Sequence, residues 1–307
     1  MPAARLLALD WGTSSLRAHL LGEGGALIDE RRRPWGLLHL PEGGFAAALQ
    51  GVAGDWLAAM PGLPLIASGM VGSAQGWREA PYAGCPADAS ALAAQLLRFE
   101  ALPGALLHIV PGVRLAGPRP DVMRGEETQI VGLLCLQPSL ATRATLVMPG
   151  THSKWVRVEA GRIVDFHTYM TGELFALLRE HSILGRPARE AGGGAGSDEA
   201  FDRGVQAVRE AGAAGATARL FSARALVLAG QLKAADSLDY LSGLLIGEEL
   251  RCALPAAGGT APVLVGDAAL CARYQRALAL YGCDAPSAGQ GMAAAGLWQI
   301  AVRAGLC

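Results

Sequence analysis

The chain has 307 residues, of which 26 are basic and 27 acidic, so its formal net charge is −1. This balance excludes general electrostatic attraction to nucleic acid or to an anionic membrane surface. Hydrophobic residues make up 51% of the sequence and charged residues 17%, which is typical of a globular protein and excludes a disordered chain. The length suits two domains of about 150 residues each.

The chain opens with a predicted meander of three strands. "RLLALD" is typical of a buried strand, "SLRAHLLG" follows it after a Gly-Thr-Ser turn, and "ALIDERR" follows a Gly-Gly turn.

Asp10 interrupts the first apolar run, so this run does not resemble a signal peptide, and no apolar run in the chain reaches the ~18 residues of a membrane span. The six cysteines include no CxxC pair, which argues against a zinc site and a disulfide framework. We therefore expect a soluble, cytoplasmic protein.

Helical segments and single strands are predicted between the first meander and residue 140. "GGFAAALQGVAGDWLAAM" has apolar residues near helical spacing, and "LPLIASGM" is a short buried strand that ends at Ser68 and Gly69. "RGEETQIVGLLCLQ" is predicted to be a helix with Glu126 and Glu127 in its first turn, where negative charge suits the helix dipole.

The opening pattern then returns. "TLVMPG", "WVRVEA" and "RIVDFHTY" again form strand, Gly-Thr-X-Ser turn, strand, glycine turn and strand in the same order. Gly12 and Thr13 of the first turn correspond to Gly150 and Thr151 of the second at a constant offset. A duplicated lobe is the economical explanation.

Helices and one further strand are predicted after the second meander. Residues 189–217 are rich in Gly and Ala and are expected to include a mobile surface connection. One helix is expected to have Ser197 as its N-cap, and another to begin at Asp236 or Ser237. "APVLVGDAALCARYQRALALYG" predicts a buried strand, a turn and a helix, and one more helix follows near the C-terminus.

The two turns are candidates for binding phosphate. Each exposes consecutive backbone N–H groups and hydroxyls, and glycine lets the backbone approach a bulky anion. An ordinary hairpin is the alternative for either turn alone, but two copies favour a polyphosphate site. Asp10 precedes the first turn and suits Mg²⁺, directly or through water, whereas Lys154 follows the second and suits phosphate oxygens. His152 has no second ligand at metal-binding spacing and is interpreted as a local hydrogen-bonding residue.

The duplicated hairpin resembles those of the actin-like ATPase superfamily. More closely, the chain is similar to the 2-dehydro-3-deoxygalactonokinase family. The matching blocks, in order, are "LALDWGTSSLRAHLL", "SGMVGSAQGWREAPY", "PDVMRGEETQIVGLL", "MPGTHSKWV", "TYMTGELFALL" and "LVGDAAL". The resemblance implies an α/β fold of two similar actin-like (ribonuclease H-like) lobes with a nucleotide cleft between them. We expect one lobe at 1–144, the other at 145–289, and a helix at 290–307 that packs between them.

The resemblance also implies the activity: ATP-dependent phosphorylation of 2-dehydro-3-deoxy-D-galactonate at its 6-hydroxyl, with Mg²⁺, in galactonate catabolism. The nucleotide-binding residues that it implies are Gly12, Thr13, Ser14, Gly150, Thr151, His152, Lys154, Gly266 and Asp267, with Asp10 for the metal. "VGDA" departs from the wider superfamily, many members of which have a glycine pair or triplet there.

Candidate residues for catalysis and for the sugar acid complete the prediction. Asp121 is the first choice for the general base, because related sugar kinases place an aspartate near the start of the corresponding helix. Glu126 and Glu127 are its rivals, and helix-start capping with dipole complementation is the structural alternative for all three. The predicted sugar-acid contacts are Ser68, Gln75, Trp77, Arg124 and Thr168. Arg78, Arg114 and Arg17 are further options for the substrate carboxylate, for which the arginine fork is the natural partner.

Two kinds of alternative function remain open at this point. One is a kinase of another sugar or sugar acid, since the fold does not fix the acceptor. The other is a non-kinase protein of the same fold, either an ATP-driven switch or a phosphohydrolase. The expected partners are small molecules, and a homodimer is one option for the oligomeric state.

Overall fold

The computed structural model describes residues 3–192 and 196–307, and its contacts divide the chain into two compact units. The first unit comprises Met1–Arg143, Val158–Phe166 and Gly289–Cys307, and the second comprises Ala144–Arg157 and His167–Ala288. Residues 193–195, within the predicted Gly/Ala-rich connection, lie outside the described residues. The lobe limits predicted from the sequence, and the placement of the last helix between lobes, stay predictions.

A six-stranded sheet forms the centre of the first unit. Its strands are β1 (Leu6–Trp11), β2 (Leu16–Leu21), β3 (Leu27–Arg33), β4 (Leu65–Gly69), β6 (Leu97–Leu102) and β7 (Ala105–Ile109), in the order β3-β2-β1-β4-β7-β6. β1, β2 and β3 are antiparallel neighbours, which confirms the predicted meander, and β4 lies parallel to β1.

The central strand of this sheet is buried because both of its faces are covered. The five apolar side chains of β1 are all fully buried, and the sixth residue, Asp10, is partly exposed at the end of the strand. Helix α1 (Gly44–Ala59) contributes Leu49 and Val52 to the core beside β1, and α10 (Met292–Arg303) also contacts β1. This packing explains why "LLALDW" is a continuous apolar run broken only at its carboxyl end.

Smaller elements complete the first unit. They are α2 (Ala89–Ala93), α3 (Glu126–Leu136) and a three-stranded sheet of β5 (Tyr82–Gly84), β8 (Gly112–Leu115) and β9 (Asp121–Met123), in the order β5-β8-β9. α3 confirms the helix predicted from "RGEETQIVGLLCLQ". It packs closely against α10 at Gly132 and Gly296, where a methyl group would overlap the backbone of the other helix.

The second meander forms three strands of a four-stranded sheet. Its strands are β10 (Arg143–Met148), β11 (Ser153–Glu159), β12 (Arg162–Tyr169) and β13 (Val263–Leu264), in the order β12-β11-β10-β13. β10 and β13 are parallel. This order places the three predicted strands side by side, as in the first meander.

Six helices accompany this sheet in the described part of the second unit. They are α4 (Thr171–His181), α5 (Arg186–Glu190), α6 (Asp198–Ala211), α7 (Ser222–Leu228), α8 (Ser237–Ala253) and α9 (Ala268–Leu280). The predicted cap of α6 is confirmed, because the Ser197 hydroxyl accepts a hydrogen bond from the Ala200 N–H. α8 begins at Ser237, as predicted. None of the described helices combines the length and the apolar composition needed to cross a membrane.

Candidate active site

The first Gly-Thr-Ser turn joins β1 to β2, and its carbonyl groups accept hydrogen bonds from the segment that follows β3. The Leu37 N–H donates to the Gly12 carbonyl and the Leu38 N–H to the Thr13 carbonyl, each at 3.1 Å. Within residues 3–192 and 196–307, the N–H groups of Thr13 and Ser14 donate to no backbone carbonyl. Both residues are exposed. The turn therefore presents donors outward and keeps its carbonyls inward, which is the polarity that an anion requires.

This arrangement depends on a glycine that lies after the third strand. Gly36 is so close to the turn that an added methyl group would overlap the Thr13 carbonyl oxygen and the Ser14 backbone nitrogen. The sequence analysis missed Gly36. Its only sequence signal is a glycine between apolar residues in a loop, which does not indicate what it packs against.

The second turn joins β10 to β11 and is held in the same way. The Glu173 N–H donates to the Thr151 carbonyl at 3.0 Å. A methyl group on Gly172 would overlap the Gly150 carbonyl oxygen and lie 2.8 Å from the Thr151 Cα atom. In both halves, therefore, a glycine after the third strand of the meander packs on the turn that follows the first strand. The likeness of the two turns extends to their supports, which strengthens the argument for duplication.

The second turn has a side-chain contact that the residues of the first turn cannot form. His152 of the second turn contacts the Glu173 carboxylate, with 2.5 Å between Nε2 and Oε2. This contact agrees with the interpretation of His152 as a local hydrogen-bonding residue. The corresponding residues of the first turn are Ser14 and Leu38, which cannot form such a pair.

Asp10 lies at the carboxyl end of β1, directly before the first turn. Its side chain is 19% exposed, and its Oδ2 lies 3.7 Å from Arg17 Nη1. Burial raises the pKa of the Asp10 carboxyl, while the positive charge of Arg17 acts in the opposite direction. Its neighbour on the parallel strand β4 is the buried Ser68.

A single carboxylate in this position fits Mg²⁺. Magnesium in phosphate-transferring sites is usually held by one or two carboxylates together with water and substrate phosphates. No cluster of three His, Cys, Asp or Glu side chains that could hold a metal occurs in the described part of the chain. Asp10 beside an exposed, donor-rich turn is therefore suited to a metal that arrives with a phosphate.

The second unit contains a pocket of about 420 Å³ that begins at the second turn. The lining residues come from the turn, from the start of α4, and from α8 and α9: Gly150, Thr151, Thr171, Gly172, Phe175, Leu238, Asp239, Ser242, Leu245, Ile246, Leu270, Arg273 and Tyr274. Most of the lining surface is apolar, and each of these elements adds one or two polar side chains, which is typical of a small-molecule site.

The predicted adenosine segment lies just before one wall of this pocket. Asp267 is the N-cap of α9, where its Oδ1 accepts a hydrogen bond of 3.0 Å from the Leu270 N–H. Gly266 precedes it with a φ of 150°. Leu270, Arg273 and Tyr274 of α9 line the pocket. The capping geometry gives Asp267 a structural task, whereas its contact with adenosine stays a prediction.

Lys154 and Thr168 were predicted as separate site residues, and the structure brings them together. The Lys154 ammonium donates to Thr168 Oγ1 at 2.8 Å, and only 5% of the lysine is exposed.

On the other face of β11, Ser153 and Trp155 donate to the buried carboxylate of Glu249. The sequence analysis missed Glu249, because one glutamate in a helical pattern does not indicate that it is buried.

The residues predicted to contact the sugar acid have different environments in the first unit. Gln75 is exposed, whereas Trp77 is half-buried and its ring stacks on Phe45 with 5.7 Å between centroids. Trp11 and Phe99 pack edge-on against the same tryptophan. This aromatic cluster packs the Trp77 ring against the hydrophobic core of the first unit. Its contact with a sugar face stays a prediction.

Arg124 has the most distinctive environment of the candidate arginines. Its Nη2 donates to the Ala80 carbonyl at 2.8 Å, and its guanidinium lies 4.2 Å from the centroid of the Tyr82 ring. Its Nε and Nη1 are buried and have no hydrogen-bond partner in the described residues. Buried donors of this kind favour an incoming acceptor. A substrate carboxylate would supply one.

The candidate general bases lie on the segment that leads into α3. Asp121 begins β9 and is half-buried. Glu126 accepts a hydrogen bond from the Arg124 N–H at 3.0 Å, and Glu127 accepts one from the Gly125 N–H at 2.7 Å. The N-cap of α3 is Gly125, which has no side chain, and both of these hydrogen bonds come from backbone N–H groups of residues that precede the helix. The catalytic roles of Asp121 and Glu126 stay predictions.

Glu127 is fully buried, and its ionisation should reduce stability. Desolvation, assisted by the charge of Glu126, raises the pKa of Glu127 to about 8. The folded protein then retains a proton that the unfolded chain releases near its ordinary pKa of 4.5. The free energy of unfolding should therefore fall as pH rises from about 5 to about 8, by up to about 1.4 kcal/mol per pH unit.

Denaturant unfolding of Glu127→Gln across this pH range tests the prediction. The variant should show a shallower fall than the wild type, because glutamine does not ionise. Glu100→Gln, at an exposed position of β6, should leave the slope unchanged. Equal slopes for the wild type and Glu127→Gln would contradict the assignment.

Comparison with known proteins identifies the family. A family model described as 2-keto-3-deoxy-galactonokinase matches residues 10–300. A Rhizobium meliloti protein named "probable 2-dehydro-3-deoxygalactonokinase" is 40% identical over 95% of this chain and 97% of its own length. The Escherichia coli 2-dehydro-3-deoxygalactonokinase is 38% identical over 92% of this chain and 91% of its own length.

A solved structure supports the same assignment. A Sinorhizobium meliloti protein, provisionally named as a 2-dehydro-3-deoxygalactonokinase, has a TM-score of 0.87 and 39% identity, and the match covers 96% of this chain and 98% of that one. The predicted α/β fold class, that of the actin-like ATPases, is confirmed. The chain belongs to the 2-keto-3-deoxy-galactonokinase family.

Proposed function

We propose that the chain is an ATP-dependent kinase that phosphorylates 2-dehydro-3-deoxy-D-galactonate at its 6-hydroxyl. Family membership supports the reaction class and the acceptor. The observation that carries the proposal is the pocket of about 420 Å³ whose edge is the second turn, at Gly150 and Thr151. A pocket of this size with apolar walls suits adenosine, and the donors of the turn suit the phosphates that follow it.

Each turn has its own part in the proposed reaction. The N–H groups of Thr13 and Ser14 bind phosphate oxygens at the first turn, and those of Thr151 and His152 do so at the second. Lys154 supplies positive charge close to the second turn. Asp10 would hold Mg²⁺, which neutralises charge on the phosphates when it is bound.

Transfer requires a carboxylate near the acceptor. The 6-hydroxyl oxygen forms a bond to the γ-phosphorus, the bond from that phosphorus to the bridging oxygen of ADP breaks, and the hydroxyl proton passes to the carboxylate. Asp121 is our first choice for this base and Glu126 the second. Arg124, with its buried unpaired donors, is the proposed partner of the substrate carboxylate.

The base assignment predicts a specific kinetic result. Asp121→Asn should lower kcat by about 100-fold or more, since general-base catalysis typically contributes 10²–10⁴-fold. The KM for ATP should change little, because Asp121 lies outside the second unit, which contains the proposed adenosine pocket. A coupled ADP assay with Glu126→Gln beside it makes the comparison. Full activity in Asp121→Asn together with loss in Glu126→Gln would move the base to Glu126.

A further inference from the structure

Glu249 of α8 has an environment that neither the sequence nor the proposed reaction explains. Its side chain is buried, with the residue 2% exposed, and four side chains from three other elements donate hydrogen bonds to it. Ser153 Oγ and Trp155 Nε1 donate to Oε1 at 2.7 and 2.8 Å. Thr171 Oγ1 and Tyr274 OH donate to Oε2 at 2.5 and 2.6 Å.

Four donors fill the acceptor capacity of a carboxylate. An ionised carboxylate has about four lone-pair sites and no proton to donate. The indole N–H of Trp155 can only donate, and the three hydroxyls turn their protons toward the oxygens. Burial raises the pKa of Glu249, and the four hydrogen bonds oppose that shift. Because each unpaired buried group costs about 1–3 kcal/mol, all four donors are held in one arrangement.

The four donors belong to the parts of the second unit that form the proposed nucleotide site. Ser153 directly follows the second turn and begins β11. Thr171 begins α4 and directly precedes Gly172, the glycine that packs on that turn. Thr171 and Tyr274 both line the pocket of about 420 Å³. The Glu249 carboxylate thus connects the second turn, the start of α4 that supports this turn, and α9 in the pocket wall.

We propose that Glu249 is a positioning residue for the nucleotide. Through its hydrogen bonds with Ser153, Thr171 and Tyr274 it fixes the position of the second turn relative to α9, which forms one wall of the pocket. The inference rests on the proposed function in that it takes this pocket as the nucleotide site. Glu249 itself touches no ligand. Loss of its carboxylate should weaken nucleotide binding and leave the affinity for the acceptor unchanged, because no predicted acceptor contact except Thr168 lies in the second unit.

Glu249→Gln is the informative substitution, because it preserves size and most of the hydrogen bonds. Its amide oxygen can accept from Ser153 and Trp155, and its amide N–H groups can donate to the hydroxyls of Thr171 and Tyr274, which would then turn round. The fold can therefore persist while the geometry changes. Small misplacements of this kind cost up to about 100-fold in enzyme sites. We expect the Kd for ADP with Mg²⁺, measured by calorimetry, to rise at least about tenfold.

Glu248→Gln is the matched control. Glu248 is the preceding residue of the same helix, but it pairs with Arg251 at 2.6 Å and with the Ala216 N–H at 2.9 Å, outside the pocket. Its substitution should leave the Kd for ADP within about twofold of the wild type, as expected for a surface ion pair. Steady-state kinetics should show a raised KM for ATP in Glu249→Gln alone, with the KM for the acceptor unchanged in both variants.

A purely stabilising Glu249 would give a different result. Glu249→Gln would then lower the melting temperature, while the folded fraction would bind ADP with the affinity of the wild type; that outcome overturns the proposal. If Glu249→Gln does not fold, Ser153→Ala replaces it, because this variant removes one hydroxyl beside the turn. Unchanged ADP affinity in a folded Ser153→Ala would equally overturn the inference.

The binding measurement separates this inference from the proposed function. A wild type that binds ADP but phosphorylates no sugar acid would refute the proposed reaction, and the Kd values of the variants would still decide the role of Glu249. A wild type that binds no nucleotide would refute both.

Discussion

Replacement of Gly172 by alanine should lower kcat/KM for ATP by about 100-fold. A methyl group at this position overlaps the Gly150 carbonyl oxygen, so either the second turn or the start of α4 must move. The overlapping atoms are backbone atoms, which cannot swing aside as the end of a flexible side chain can. The N–H groups of Thr151 and His152, which we propose bind phosphate, would then be displaced.

Gly36→Ala and Gly84→Ala complete this experiment. Gly36 packs on the first turn as Gly172 packs on the second, so its substitution should cause a loss of similar size. Gly84, on β5, has open space where a methyl group would be added, and Gly84→Ala should retain wild-type kinetics. Wild-type kcat/KM in a folded Gly172→Ala variant would show that the position of the turn does not govern nucleotide use.

Asp10→Asn should lower kcat by at least about 100-fold, because weaker binding of Mg²⁺ removes positive charge from the phosphates, and loss of one electrostatic contact of this kind typically costs 10²–10³-fold. Asparagine keeps the size of the side chain and one acceptor oxygen, but it loses the charge that would attract Mg²⁺. The Mg²⁺ concentration that gives half-maximal activity should rise in parallel. A magnesium titration of activity at saturating ATP measures both effects.

The stability of Asp10→Asn provides an independent check. Because burial raises the pKa of Asp10, the native carboxylate is ionised at a cost, and asparagine should leave the free energy of unfolding at pH 7 unchanged or higher. Asp29→Asn, on the exposed part of β3, should change neither activity nor magnesium dependence. An unchanged magnesium dependence in Asp10→Asn would remove Asp10 from the metal site.

The features that the sequence predicts well are local and repeated. The apolar run of β1, the glycine turns and the two meanders follow from short-range pattern, and the structure confirms them. The repeat also pointed to the two turns that we propose bind phosphate, because two copies of one turn have few structural explanations. Ser197 was recognisable as a cap for the same reason, since its N-cap role depends on the next few residues alone.

The features that the sequence does not predict arise from distant contacts. Gly36 and Gly172 are needed because each packs against the backbone of a turn, and the residues around each glycine do not indicate this contact. Glu249 lies 96 residues from Ser153, yet these side chains meet in the core. Trp77 shows the same dependence, because its Gly/Ser-rich loop does not indicate that its ring packs against Phe45. Such contacts depend on tertiary packing, which carries no periodic signal.

The central claim is phosphoryl transfer from ATP to a sugar acid, and identification of the product tests it most directly. We would incubate the protein with Mg-ATP and 2-dehydro-3-deoxy-D-galactonate and follow the phosphorus species by NMR, with 2-dehydro-3-deoxy-D-gluconate and a neutral sugar as parallel acceptors. The account predicts one new phosphomonoester on the 6-oxygen of the galactonate derivative, in equal amount to ADP and without inorganic phosphate. Release of inorganic phosphate at the same rate with and without acceptor would contradict it and would indicate a phosphohydrolase.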